Sequence, residues 1–163
     1  MKTGKGFLCS SLLLAVMLTS VDIIAADSSG MVIASRGEVS VISNGERRPL
    51  KQGDFIYEHD EIIAGDRSFT VLQFVDGAKV SLRPDSSLII EQYLYASGGE
   101  DAATLSLVAG GMRVVSGAIA SSKPGNYRIR TPATLMSVQG REGSLTICGD
   151  AICDQKGLVE IPE

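Results

Sequence analysis

The residues best suited to chemistry in this sequence are a few carboxylates, one histidine, several arginines, a tyrosine pair and two late cysteines. Asp60, Glu61 and Asp66 fall close together, and a hydrolase would need two such carboxyls at a set separation across a cleft. These acids stand beside Gly and Ser in predicted turns, where Asp caps backbone amides. Turn chemistry is therefore the favoured reading, and more firmly so for Asp76. His59 as a general base needs a nucleophile and an orienting acid. Ser68 or Ser81 could be proposed, yet no Gly-x-Ser-x-Gly elbow exists, and a solvated loop histidine is the simpler account. Gly110-Gly111 before Arg113 could cradle an anion, against a bulge that turns a strand. Arg47-Arg48 and Arg128 with Arg130 could form a basic surface, against a solvated strand face. Tyr93 and Tyr95 could stack on sugar rings, against aromatic packing at a sheet margin. No catalytic, cofactor or metal site is expected, and the protein is expected to be no enzyme.

Two cysteines, Cys148 and Cys153, remain once Cys9 is set aside with the leader discussed below. An even count in an exported chain suggests one disulfide, and the spacing could close a hairpin tip. Half of a metal site is the alternative. It needs further ligands, but His59 is the only histidine and no second cysteine pair exists.

The elements that would position these residues are strands. The stretch from Phe69 to Tyr93 reads as three strands with two tight turns. Asp76-Gly77 fits a two-residue hairpin loop, which wants left-handed backbone at both positions. That loop would set Val75 against Ala78, Gln73 against Val80 and Val71 against Leu82. Val71, Val75, Ala78, Val80 and Leu82 would then share an inner face, with Gln73 the only polar member. Arg83-Pro84-Asp85-Ser86 makes the second turn.

Along the chain, Met31–Ser35 and Gly37–Ser43 read as strands, and Asn44-Gly45 is a further hairpin signal. Glu46–Leu50 carries Pro49 and so reads as an edge. Phe55–Tyr57, Glu61–Ala64, Ala102–Ala109, Met112–Val115, Ala118–Ala120, Tyr127–Arg130, Leu135–Val138, Gly143–Cys148 and Leu158–Ile161 complete the strand candidates. Leu94–Asp101 reads as an exposed loop. Many short strands with glycine-rich turns make the fold class all-β: one domain, mostly antiparallel, a sandwich or roll.

The 163 residues carry a net charge of −4. The start is short and basic, Phe7–Leu18 is nearly all apolar, and small residues follow at Ala25-Ala26. This is the layout of a secretory signal. The apolar run is short for a span of ~20 residues and Asp22 interrupts it, which argues against an uncleaved anchor. Residues 1–26 are thus expected to be a cleaved signal-peptide helix and 27–163 the exported domain, with no membrane span after cleavage. Losing Lys2, Lys5 and Asp22 leaves the remainder near −5. That acidity argues against nucleic acid and against an anionic membrane surface as main partners.

The ordered set Gly37-x-Val39, Leu50-x-x-Gly53-Asp54, Asp60-x-Ile62-x-x-Gly65-x-x-Ser68, Phe74-x-Asp76-Gly77-x-x-x-x-Leu82-x-Pro84-x-Ser86, Gly111-x-Arg113-x-x-x-Gly117 and Thr131-Pro132 resembles the FecR domain. The resemblance covers most of residues 31–147. It marks Gly53, Asp54, Asp60, Gly65, Phe74, Asp76, Gly77, Leu82, Pro84, Arg113, Gly117, Thr131, Pro132 and Gly140 as signature turn and core positions. It implies a bacterial protein of the periplasm or the cell exterior. Founding members are inner-membrane sensors that read an outer-membrane transporter and control a sigma factor. Other members are exported, some joined to peptidoglycan-binding repeats. A periplasmic or secreted binding or signalling module is therefore expected. Its partner would be another envelope protein, with peptidoglycan or polysaccharide as the alternative ligand. Three departures stand out. No cytoplasmic segment precedes the apolar run. The usual Val-Arg-Gly-Thr is Val138-Gln139-Gly140-Arg141. The chain stops at Glu163, where relatives often continue, so the domain is expected to be a shortened one whose last strand is left as an edge.

Overall fold

A computed structural model of the chain describes residues 27–96 and 100–161. The signal-peptide helix expected at residues 1–26 lies outside the described residues, as does the middle of the loop expected at 94–101. The described residues form two facing sheets. The seven-stranded sheet holds β1 (Gly30–Arg36), β4 (Phe55–Ile56), β6 (Phe69–Phe74), β7 (Lys79–Leu82), β10 (Gly111–Val115), β13 (Glu142–Cys148) and β14 (Ala151–Lys156). The eight-stranded sheet holds β2 (Val39–Ser43), β3 (Glu46–Pro49), β5 (Glu61–Ala64), β8 (Ser86–Leu94), β9 (Ala102–Ala109), β11 (Tyr127–Arg130), β12 (Leu135–Val138) and β15 (Leu158–Glu160). The orders are β14-β13-β10-β7-β6-β1-β4 and β15-β12-β11-β9-β8-β5-β2-β3. The chain crosses between sheets after nearly every strand or hairpin, so both layers feed one core, from Val32 and Leu72 on one side to Ile90 and Leu105 on the other.

The period-2 pattern dictates which face is buried. In β6 and β7, Leu72, Phe74, Val80 and Leu82 are sealed in the core, each contributing roughly 1.5–3 kcal/mol. This corrects the expected register. Leu72 pairs with Val80 and Gln73 with Lys79. Three residues, Val75-Asp76-Gly77, make the loop: Phe74 N–H donates to the Ala78 carbonyl at 2.8 Å, and Gly77 N–H to the Phe74 carbonyl at 3.0 Å. Only Gly77 is left-handed, at φ 87°. A one-residue slip turns over every side chain of β6. The two-residue loop would have buried Gln73 and exposed Phe74; the observed one buries Phe74 and leaves Val75 48% exposed. The inward Thr70 satisfies its hydroxyl by donating to the Ala34 carbonyl at 3.0 Å.

The expected Arg83–Ser86 turn is present, and its Pro84 corner carries the chain from β7 to β8 in the other sheet. Two other expectations change. Ala118–Ala120 is not a strand but the start of a short helix, α1 (Ala118–Ser122), followed by a 3-10 turn over Pro124–Asn126. This crossover makes β11 run parallel to β9, while the other described pairs are antiparallel. The edge strand β14 of the seven-stranded sheet is absent from the sequence pattern, because its polar sequence is mostly exposed. Among the described residues no helix is long and apolar enough to cross a membrane.

Candidate functional site

The signature positions resolve into three groups. The first surrounds Asp76 at the β6–β7 turn. Asp76 is buried. One carboxylate oxygen accepts from Ala78 N–H at 3.0 Å and from the Tyr93 hydroxyl at 2.6 Å. The other accepts from Ile119 N–H at 3.1 Å, at the start of α1. Ala118 N–H donates to the Asp76 carbonyl at 3.0 Å. Gly117 is needed here, because a β-carbon would overlap the Asp76 carboxylate. The expected capping role of Asp76 is thus present. Sequence reasoning missed that it ties a turn, a strand and a helix together inside the core.

Tyr93 cannot stack on a ligand. Its ring lies against Phe74 with centroids 4.3 Å apart and meets Tyr127 edge-on at 6.3 Å. Burial, the neighbouring Tyr127 and the Asp76 carboxylate push its hydroxyl far above the ordinary tyrosine range, so it stays a proton donor. Burial does the same to Tyr127, whose hydroxyl has no hydrogen-bond partner among the described residues. Tyr95, by contrast, is exposed and lies beyond β8, so the two tyrosines do not share a strand face.

The second group consists of turns. Asp54 accepts from Lys51 N–H at 2.9 Å and pairs with Arg48 at 3.3 Å. Gly53, at φ 92°, permits that turn. Asp60 is buried and accepts from Tyr57 N–H at 2.9 Å. Gly65 donates to the Glu38 carbonyl and accepts from Ser68 and Asp85 N–H. Thr131 accepts from Ala133 and Thr134 N–H before the exposed Pro132 turn closes onto β12. Gly140 turns at φ 90° and its carbonyl accepts from the Ser116 hydroxyl at 2.8 Å. The Pro84 carbonyl accepts from Ser86, whose hydroxyl also bonds the Gly111 backbone. Gly110, left-handed at φ 78°, joins β9 to β10 there, and the Gly111 N–H is taken by the Ser86 hydroxyl. Asp60, Glu61 and Asp66 do not converge. Of the three, Asp60 caps a backbone amide as expected, whereas Glu61 lies in β5 and accepts from the Ser87 hydroxyl and Asp66 pairs with the Arg67 side chain.

The third group is exposed. His59 and Tyr95 line an open groove of about 720 Å³ with Tyr57, Glu58, Leu94 and Val75. Arg113 pairs with Glu142, whose carboxyl it holds below the usual range. Cys148 and Cys153 are joined in a disulfide across the β13–β14 hairpin, with Cα atoms 5.7 Å apart. Among the described residues no group of three His, Cys, Asp or Glu side chains could hold a metal ion.

Four edge strands bound the sheets. Pro49 and two arginines blunt β3, and β4 has only two residues. β15 is different. Ile161 N–H donates to the Leu135 carbonyl and Gln139 N–H to the Gly157 carbonyl. With that alternation, the backbone groups of Leu158 and Glu160 point away from β12, along an edge that no described strand covers.

A family model described as FecR protein matches residues 60–152. The chain belongs to the FecR family. A solved structure described as a cell surface anchoring domain is similar to this FecR chain, with 33% identity over 38% of this chain and 83% of its own and a TM-score of 0.37. No curated protein matches.

Proposed function

We propose that this FecR protein is a non-enzymatic binding and signalling module of the bacterial envelope. It would be exported with its leader removed near Ala26, act in the periplasm or outside the cell, and work through contact with another envelope protein. The observation that carries this reading is the β15 edge. Its free Leu158 and Glu160 backbone groups suit an added strand from a partner. Family membership supports the envelope setting. The carboxylates and His59 take turn and surface roles and do not converge, which favours a binder over a hydrolase. The test is a photo-crosslinker at Val159, a half-exposed position on β15. Expected is one discrete protein adduct in the native envelope, lost when Leu158→Pro removes an edge donor. An adduct of unchanged yield in that variant contradicts the edge as the interface.

The groove of Tyr57, His59 and Tyr95 favours a second reading, binding to peptidoglycan or another polysaccharide. Purified sacculi should then retain the protein, and Tyr57→Ala with Tyr95→Ala should release it.

A further inference from the structure

The outer face of the seven-stranded sheet carries a charge opposite to that of the chain. On β7 the outward residues are Lys79 and Ser81, with Arg83 just beyond; on β10 they are Gly111, Arg113 and Val115. β13 presents Glu142, Ser144 and Thr146, and β14 presents Asp154 and Lys156 opposite Thr146 and Ser144. Arg113 stands opposite Ser81 on one side and Ser144 on the other. Four cations thus share the face with two carboxylates, in a chain of net charge −4. With strands ~4.8 Å apart and a rise of ~3.4 Å per residue, neighbouring cations repeat at roughly 8–10 Å.

The centre of this face is concave. Arg83, Arg113 and Lys156 surround an open trough of about 410 Å³ with Glu142, whose ion pair with Arg113 offsets part of that charge, Ser144 and the bare backbone of Gly143 and Gly157. Arg83 is held in place: it crosses Gly111, where a β-carbon would press on it, and donates to the Thr146 hydroxyl at 3.0 Å. Guanidinium groups pair with planar anions in two-point fashion. The floor offers hydroxyls, and Phe69, 40% exposed, ends the outward row of the neighbouring β6.

We propose that this face binds a linear anionic polysaccharide, with Arg83, Arg113 and Lys156 meeting its acid groups and Ser144 its hydroxyls. The observations favour a glycan over an acidic peptide. The trough is a sheet face whose backbone is already paired to neighbouring strands, whereas an extended peptide gains most where free backbone groups await it. A sugar polymer needs only side-chain charge, hydroxyls and a ring platform. The site uses neither the β15 edge nor the Tyr57–Tyr95 groove, so it stands apart from both readings above.

The test is binding of protein produced from the full-length chain to sodium alginate, a linear polyuronate, with dextran and poly-L-glutamate as comparisons. Expected is retention by alginate that weakens as salt rises from about 50 mM, because exposed charges are screened. Dextran should not bind. The variant Arg83→Gln/Arg113→Gln/Lys156→Gln should bind alginate about tenfold or more weakly, three exposed contacts each contributing a fraction of that factor. Its melting temperature and Val159 crosslink should be unchanged. Equal affinity of the triple variant, or no retention at low salt, overturns the proposal. Poly-L-glutamate binding as tightly as alginate also overturns it, in favour of an acidic protein segment.

Discussion

Three tight glycine-containing turns in this molecule end differently. Asn44-Gly45 joins β2 to β3 as a two-residue loop, both residues left-handed at φ 51° and 81°. Gly149-Asp150 joins β13 to β14 as a two-residue loop with only its first residue left-handed, at φ 63°, and the disulfide clamps it. Asp76-Gly77 carries as strong a hairpin signal as Asn44-Gly45 and yet makes a three-residue loop. The difference lies in what the first residue's side chain can reach. Asn44 faces solvent. Asp76 is drawn into the core by Ala78 N–H, Ile119 N–H and the Tyr93 hydroxyl. Local turn preference is worth about 1 kcal/mol, and three buried hydrogen bonds to a carboxylate together with a buried Phe74 outweigh it.

The comparison breaks most visibly at the register. Val80→Asp should prevent folding, since a lone charge would enter the sealed core. Leu72→Asp should do the same, while Val75→Asp should fold with a nearly unchanged melting curve. Circular dichroism melts of the three variants check this, and loss of folding in Val75→Asp would restore the two-residue loop. Next in size, Asp76→Ala should cost roughly 3–5 kcal/mol in denaturant unfolding, because it strands buried donors. Asn44→Ala, at a turn without such partners, should cost about 1 kcal/mol.

Reducing Cys148–Cys153 should cost about 2 kcal/mol, because so short a loop restrains little chain entropy. Melts with and without reductant measure it, and a thiol assay on the oxidised protein should find none free. The smallest effect concerns Arg113 and Glu142. Arg113 lowers the Glu142 pKa in the folded state, so the pair's contribution is present above the unfolded carboxylate range and is lost as pH falls through the folded value. Both side chains are exposed, so Glu142→Gln should shift acid unfolding only slightly.

Much of the fold was legible because its strands alternate. Ala102–Ala109 and Tyr127–Arg130 fall where the pattern puts them, and Pro49 marks a true edge. β14 was not legible, because an exposed edge strand needs no apolar face. Neither was α1, whose five residues are too few for a helical period and whose start is set by Asp76, far away in sequence. The signature turns could be read as turns, whereas the union of Asp76, Tyr93 and Gly117 depends on contacts between sheets. Tyr93 packs as an aromatic core residue, the commoner of its two readings, but its bond to Asp76 could not be read from the sequence. The basic outer face was hidden for a similar reason: Arg83 just after β7, Arg113 on β10 and Lys156 on β14 are brought together only by the sheet order.

The most direct test of an envelope binding module is a crosslinking pull-down from the native envelope, with the exported protein as bait. The account predicts recovery of one membrane receptor or sensor protein, with crosslinks mapping to β15. Recovery of peptidoglycan fragments with no protein partner would contradict it.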